Sequence, residues 1–338
     1  MSLLQHAPTF DLAQATTVAK SYYNIAAVAK HLPSERDQNF LLTTHSGDRF
    51  VLKIANSHEQ RSLLEAQNAV MSHLRERLTF CPCVVNASTG ESIMQIVNEG
   101  SAHYVRLVTY IPGEPLATVK HSSGLLFDLG KKLGRLTRAL EDFDHPALHR
   151  NFHWDLAHGL KVIAEYETLV THEDLKAEID HCASRIEQSL GARLAELPCS
   201  VIHGDTNDYN VIVENEKVVG LIDFGDMIHS YSVGELAVAI AYIVLDKANP
   251  LTWASEVVAG YVSERLLNET EIDVLWSFIL LRLCMSICLA AHQRKQKPEN
   301  EYLDISQRSI RDSLPRLSAI DPGVAADAFR HAIKRSMI

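Results

Sequence analysis

Cysteine is scarce, six residues in 338, too few for a disulfide framework. Cys81 and Cys83 flank Pro82 with no second cysteine pair at zinc spacing, which argues against a metal there. Cys284 and Cys288 sit four apart in an apolar helical segment, where buried thiols are expected. Positive charge is also in short supply. Lys and Arg total 32 against 42 Asp and Glu, a formal net charge of −10, and no basic block stands out. Such a chain is a poor surface for nucleic acid or an anionic membrane and suits a cationic ligand better. Internal repeats and low-complexity segments are missing. The first residues, MSLLQHAPTFD, lack a basic n-region and an apolar core with a small-residue cleavage site, so a reducing cytoplasm is the expected compartment. No apolar run reaches the about 20 residues of a spanning helix. The most hydrophobic stretch, 272–291, is interrupted by Asp273 and Arg282, leaving eight uncharged residues at 274–281, and reads as a core helix.

What remains is the composition of an ordinary globular protein, 46% hydrophobic and 22% charged, with length enough for about two domains. Residues 11 to about 21 read as a helix and Ile25–Leu32 as a strand. Phe40–Thr44 and Phe50–Ala55 flank His45-Ser46-Gly47-Asp48, a hairpin signature. Apolar residues at helical spacing follow from Ser57 to about Leu78, then strand-like runs at Cys83–Ala87, Ser92–Asn98 and His103–Tyr110. The pattern is an antiparallel sheet with one helix inserted after its third strand. Ile111-Pro112-Gly113 breaks it, and helical periodicity then dominates at 125–140, where Gly130 and Gly134 suggest close helix packing. It recurs at about 155–170, 172–196, 233–246, 251–267, 271–295 and 322–336. The expected class is α+β, with a β-rich amino-terminal lobe at 1–108, a hinge at 109–113 and a mostly helical lobe at 114–338.

One β island inside the helical half carries the chemistry, CSVIHGDTNDYNVIVENEKVVGLIDFGDM from Cys199 to Met227. Val211–Val213 and Val218-Val219 flank a polar turn. With Asn215-Glu216 as a two-residue turn, Glu214 pairs with Lys217 and Asn210 falls opposite Leu221, give or take one residue. Asp223 then lies beside Asn210, and Asp205 precedes the same strand on its entry loop. Oxygen ligands so arranged suit a hard divalent cation, since magnesium takes one or two carboxylates plus substrate phosphates. A further carboxylate can accept a proton from an attacking hydroxyl. The order His203-x-Asp205-x4-Asn210, then Asp223-Phe224-Gly225, fits phosphoryl transfer, where the protein mainly positions reactants and neutralises charge. A cation for phosphates is available in Lys53, which interrupts the apolar run Phe50–Ile54, with Glu65 or Glu59 of the next helix as its ion-pair partner.

These segments resemble the aminoglycoside phosphotransferase and choline kinase-like group of small-molecule kinases, whose fold is protein kinase-like. The likeness spans roughly Asp11 to Arg294. SERDQNF, RLVTYIPGEPL, VIHGDTNDYN and GLIDFGDMIHSYSVGELAVAIAY most resemble the hydroxylysine kinase-like branch, and the homoserine kinase branch is also similar. The resemblance implies Asp205 as catalytic base, Asn210 and Asp223 as magnesium ligands, Lys53 on the nucleotide phosphates, and Thr109, Tyr110 and Ile111 as the hinge that meets the purine. Two departures bear on substrate. Ser34, Gln38 and Asn39 belong to a turn that replaces a GxGxxG loop, and Gly204 stands where protein kinases have an HRD arginine. The segment after Gly225 runs almost directly into helix from Val233, with no room for a peptide platform, so the acceptor is expected to be small.

Near the metal loops, Asp208, Asp226 and Glu235, with Trp154 and Asp155, are candidates for a negative pocket around an ammonium group, Trp154 by cation–π contact. Arg282, a charge amid an apolar helix, needs a partner: a carboxylate of the fold or the carboxylate of an amino-acid substrate. His145, His149, His153 and His158 lack clean helical spacing and read as a surface loop. The expected activity is transfer of the γ-phosphoryl of ATP or GTP, with Mg2+, to the hydroxyl of a small cationic amine or amino acid. Hydroxylysine-like acceptors rank first and homoserine second. Choline, ethanolamine or an aminoglycoside, or a silent kinase-fold binding protein, are the alternatives.

Overall fold

A computed structural model describes residues 7–34, 36–296 and 306–337; Glu35 of the SERDQNF motif lies outside them. The chain divides into two compact units, residues 1–112 and 113–338.

The first unit opens with α1 (Leu12–Tyr23), started by a capping box in which Asp11 and Gln14 satisfy each other's backbone N–H. Six antiparallel strands follow: β1 (Ala27–Leu32), β2 (Gln38–Thr44), β3 (Arg49–Ile54), β4 (Val84–Val85), β5 (Met94–Asn98) and β6 (Ser101–Thr109). Their order is β1-β2-β3-β6-β4, with β5 also on β6, and α2 (Arg61–Arg75) enters after β3 as predicted. Strand alternation makes two faces. Phe40, Leu42, Leu52, Ile54, Val105 and Leu107 form a core with α1. In the alternate positions Asn39, Lys53 and Arg106 are direct cross-strand neighbours. The run predicted as a strand at Cys83–Ala87 shortens to two residues, because the chain turns away where Ala87 N–H bonds Glu91 and Ser88 N–H bonds Tyr22.

The second unit holds α3 (Ser123–Leu140), α4 (Gly159–Tyr166), α5 (Glu173–Leu190), α6 (Val233–Ile243), α7 (Pro250–Val262), α8 (Glu269–Gln296), α9 (Gln307–Ser318) and α10 (Pro322–Ser336). Two small antiparallel sheets lie among them. One joins β7 (Glu114–Pro115), β9 (Val211–Glu214) and β10 (Lys217–Leu221); the other joins β8 (Cys199–Ile202) and β11 (Ile228–Tyr231). α8 is long and apolar enough to cross a bilayer, yet nearly every residue from Glu271 to Ala290 is buried inside this unit. α3 crosses α7 at glycines: a Cβ on Gly130 would stand 1.9 Å from the Val257 carbonyl oxygen, and one on Gly260 1.9 Å from that of Phe127. α9, not anticipated, continues through Pro315 on a buried face of Ile310, Leu314 and Leu317.

Candidate active site

The hairpin β9–β10 sets the frame. Asn215 and Glu216 both adopt positive φ, 50° and 58°, and Glu214 pairs with Lys217 as the turn residues predict. A bulge between Val218 and Gly220 then shifts the register by one, so Asn210 faces Ile222 instead of Leu221. The Ile222 N–H donates to the Asn210 carbonyl at 2.9 Å, and Asp223 follows in a left-handed conformation (φ 64°, ψ 74°).

The loop that carries Asp205 leaves β8 at His203, whose side chain is fully buried. Its Nε2 donates to the Ile222 carbonyl at 3.0 Å, which leaves Nδ1 to accept the Asp205 N–H at 3.3 Å. The ring packs edge-on against Phe224, centroids 4.7 Å apart, so one imidazole ties the two loops together. Gly204 has φ +77°, and a Cβ there would meet the Asp226 carbonyl oxygen at 2.9 Å. A side chain such as the HRD arginine is therefore excluded by both strain and space.

Asp205 is held on both oxygens. Oδ2 accepts from Asn207 Nδ2 at 3.0 Å and from Asn210 Nδ2 at 2.9 Å; Oδ1 accepts from Arg282 Nη2 at 2.7 Å. Burial pushes its carboxyl above the usual range, Arg282 opposes this most strongly, and Asp226 adds to the rise. Asn210 Nδ2 also donates to the Asp205 carbonyl at 2.8 Å. With its amide hydrogens turned to Asp205, Asn210 keeps its side-chain oxygen as its other polar atom, and the backbone bond to Ile222 sets Asp223 one residue beyond its ladder partner. Asp208 accepts at its carboxyl from backbone N–H groups of its own loop, those of Asp208 and Tyr209. Its backbone carbonyl takes the Ala117 N–H at 3.0 Å, and its buried Oδ1 finds no hydrogen-bond partner among the described residues. Burial raises its carboxyl to about 6; the backbone hydrogen bonds and the Lys247 charge oppose this, and the field of Asp205 adds to it.

Several expected acceptor residues have other employment. Glu235 is fully buried in the first turn of α6, accepting from His203 N–H at 2.5 Å and the Thr206 hydroxyl at 2.8 Å. It braces the Asp205 loop from behind instead of facing an acceptor. Asp155 is 5% exposed and is taken by Ser230 (2.5 Å), the Ala157 N–H (3.0 Å) and His158 (3.1 Å), so it caps a short turn. It lines a cavity of about 380 Å³ with His149, His158 and His229, while Trp154 beside it carries Arg282 at 4.3 Å over its ring. The cation on Trp154 is thus the protein's own. Of the two partners open to Arg282, the structure has the carboxylate of the fold, and that carboxylate is Asp205. Of the four histidines at 145–158, only His149 and His158 share that cavity: His149 pairs with Asp144 at 2.7 Å, His153 with Tyr166 at 3.3 Å, and His145 caps Ala147.

In the first unit, Lys53 has Asn39 and Arg106 as register partners, and Asn39 Oδ1 is buried with no hydrogen-bond partner among the described residues. Glu65 is engaged by Arg61, one turn earlier, at 2.9 Å on a half-exposed face, an i,i+4 pair. Gln38 is committed to the backbone of Phe10 at 2.7 and 2.8 Å, and Ser34 is exposed. At the expected hinge the Thr109 N–H bonds Cys83 at 2.9 Å and the Tyr110 N–H bonds Arg49 at 3.2 Å, which leaves Ile111 as the backbone donor without such a bond among the described residues. Three residues escaped sequence reasoning. Asn207 sat inside the quoted motif, Tyr242 showed no signal in an apolar helix, and Arg106, 3% exposed and held by Gln67 (2.6 Å) and Asn68 (3.1 Å), was masked by its strand.

The profile of the phosphotransferase enzyme family matches residues 28–269. The chain belongs to that family. It is a small-molecule kinase, similar over nearly its whole length to hydroxylysine kinase of Danio rerio, 32% identical over 335 residues that cover 94% of each chain. Homoserine kinase of Gluconobacter oxydans (strain 621H) is 29% identical over 239 residues, 70% of this chain and 72% of the relative. Among solved structures, amicoumacin kinase hAmiN, in complex with AMP-PNP, Ca2+ and Ami, superposes with a TM-score of 0.73 at 15% identity over 93% of this chain and 97% of that one. That likeness establishes the kinase-like α+β fold predicted for this phosphotransferase.

Proposed function

We propose that this kinase moves the γ-phosphoryl group of ATP or GTP to the hydroxyl of a small cationic amine or amino acid, a hydroxylysine-like compound first and homoserine second. The observation that carries the reading is the Asp205 carboxylate, held at 2.7–3.0 Å by Arg282, Asn207 and Asn210 on the loop between β8 and β9. Asp205 takes the proton of the acceptor hydroxyl as that oxygen bonds to the γ-phosphorus. The bond from phosphorus to the bridging oxygen breaks, and nucleoside diphosphate leaves with its electron pair. Lys53 is assigned to the nucleotide phosphates, with Asn39 beside it in register. Asn210 and Asp223 are assigned to magnesium, which when bound offsets charge on the phosphate oxygens.

A cationic acceptor is supported by Asp208, whose buried Oδ1 lacks a partner among the described residues, and by Asp226, whose charge is felt at Asp205. An ammonium group beside Asp208 supplies what burial removes. The full-length similarity to a hydroxylysine kinase favours that acceptor over homoserine, whose kinase aligns with less of the chain. A cytoplasmic location belongs to the same reading and accords with six free cysteines. The test is a nucleotide-consumption screen with ATP and GTP, in the presence of Mg2+, against hydroxylysine, homoserine, choline, ethanolamine and an aminoglycoside. Asp205→Asn is expected to lose on the order of a hundredfold or more in turnover. Undiminished turnover in that variant refutes the base assignment, and activity confined to choline or an aminoglycoside refutes the acceptor.

A further inference from the structure

Arg282 lies in the middle of α8 at 2% exposure. Removing a guanidinium from water costs several kcal/mol, so its contacts must be specific. Its Nη2 donates to Asp205 Oδ1 at 2.7 Å, its Nε to the Tyr242 hydroxyl at 3.3 Å and its Nη1 to the Trp154 carbonyl at 3.5 Å. The guanidinium carbon stands 4.3 Å over the Trp154 ring and 5.9 Å from that of Tyr242. Two helices and one loop therefore fix a planar fork against a single carboxylate.

The two oxygens of that carboxylate are not equivalent. An ionised carboxylate has about four lone-pair sites, two on each oxygen. Oδ2 fills both, one with Asn207 and one with Asn210, whereas Oδ1 receives Arg282 alone among the described residues. We propose that Arg282 is a positioning residue for phosphoryl transfer: it sets the rotation of the Asp205 carboxylate so that the open lone pair of Oδ1 receives the acceptor hydroxyl. The proposal rests on the reading of Asp205 as base and extends it to a single oxygen. Trp154 and Tyr242 act one step further out, by holding the plane of the guanidinium. Asp226, Asp208, His203 and Tyr242 are the other titratable groups whose charge is felt with Asp205 here, and Arg282 is the cation hydrogen-bonded to it.

The test compares Arg282→Met, Arg282→Lys, Asp205→Asn and the Asp205→Asn/Arg282→Met double variant, each checked by thermal unfolding. Steady-state rates are measured with hydroxylysine and with its decarboxylated amino alcohol. Misplacement of a reacting group by about 1 Å costs roughly a hundredfold, so Arg282→Met is expected to lose about that in kcat with both acceptors, while KM stays within about threefold. Arg282→Lys keeps the charge without the fork and is expected to fall between. Because Arg282 acts through Asp205, the double variant is expected to match Asp205→Asn in kcat to within about threefold. Removing both charges also avoids a lone buried ion, so this comparison and Arg282→Lys decide the matter even where Arg282→Met fails to fold. An unchanged kcat in Arg282→Met overturns the proposal. So does a rise in KM confined to the amino acid, which makes Arg282 a receptor for the substrate carboxylate. A double variant about tenfold or more below Asp205→Asn also overturns it, by giving Arg282 a role independent of the base. A wild-type rate in Asp205→Asn is a different failure, that of the base reading itself.

Discussion

Glu235 Oε2 accepts the backbone N–H of His203 at 2.5 Å, across 32 residues of chain, while its Oε1 accepts the Thr206 hydroxyl at 2.8 Å. One buried carboxylate in the first turn of α6 thereby grips the chain on both sides of Gly204-Asp205. Hydrogen bonds to a charged group contribute about 1.5–3 kcal/mol each, and a donor left buried without a partner costs a similar amount. Glu235→Ala is expected to lose about 3 kcal/mol in urea unfolding, with a fall in kcat as the Asp205 loop relaxes. Glu235→Gln, which retains one accepting oxygen, is expected to lose less than the alanine variant on both measures. An alanine variant within about 0.5 kcal/mol of wild type contradicts the bracing role.

The crossing of α3 and α7 makes a second expectation. A Cβ on Gly130 or on Gly260 would come within 1.9 Å of a carbonyl oxygen on the other helix. In an isolated helix, glycine to alanine gains about 1 kcal/mol. Here backbone must move to admit the methyl group, and overpacking typically costs about 1–3 kcal/mol, occasionally more. Gly130→Ala and Gly260→Ala are each expected to destabilise, and the pair to be less than additive, since separating the helices for one methyl makes room for the other. Stabilisation by either single substitution in chemical denaturation counts against this contact.

Much of this site was legible because its residues are close in sequence. Asp205, Asn210 and Asp223 sit on one strand–turn–strand unit, and the turn residues Asn215-Glu216 specify its pairing with little ambiguity. The one-residue error at Asn210 came from the bulge beside Val219, where Val218-Val219 reads as regular strand. Partners distant in sequence were not legible. Arg282 announced that it needed a carboxylate, but nothing local distinguishes Asp205, 77 residues away, from a ligand. Glu235 and Asp155 carry the charge of pocket residues, and only burial and hydrogen bonding separate a brace or a cap from a binding group. The cation that meets Glu65 from one helical turn away, Arg61, was not singled out either. α9 was hidden by Pro315, whose cost to a helix is outweighed where Ile310, Leu314 and Leu317 are buried together.

His121 gives the fold a defined acid sensitivity. Its Nε2 donates to the Leu116 carbonyl at 3.3 Å, and its buried Nδ1 has no hydrogen-bond partner among the described residues. Burial, aided by Lys247, pulls the imidazole below its ordinary value of 6.5, with the Leu116 carbonyl opposing. The folded state therefore binds this proton less readily than the unfolded chain. Above the ordinary value His121 is neutral in both states and has no effect on stability. As pH falls below about 6.5 toward the depressed folded value, the unfolded chain takes up the proton first and stability is lost. His121→Gln keeps a donor for Leu116 and cannot titrate. Between pH 7.5 and 5.5 its Tm is expected to fall less than that of the wild type, and an equal or larger fall in the glutamine variant rules out His121 as the source.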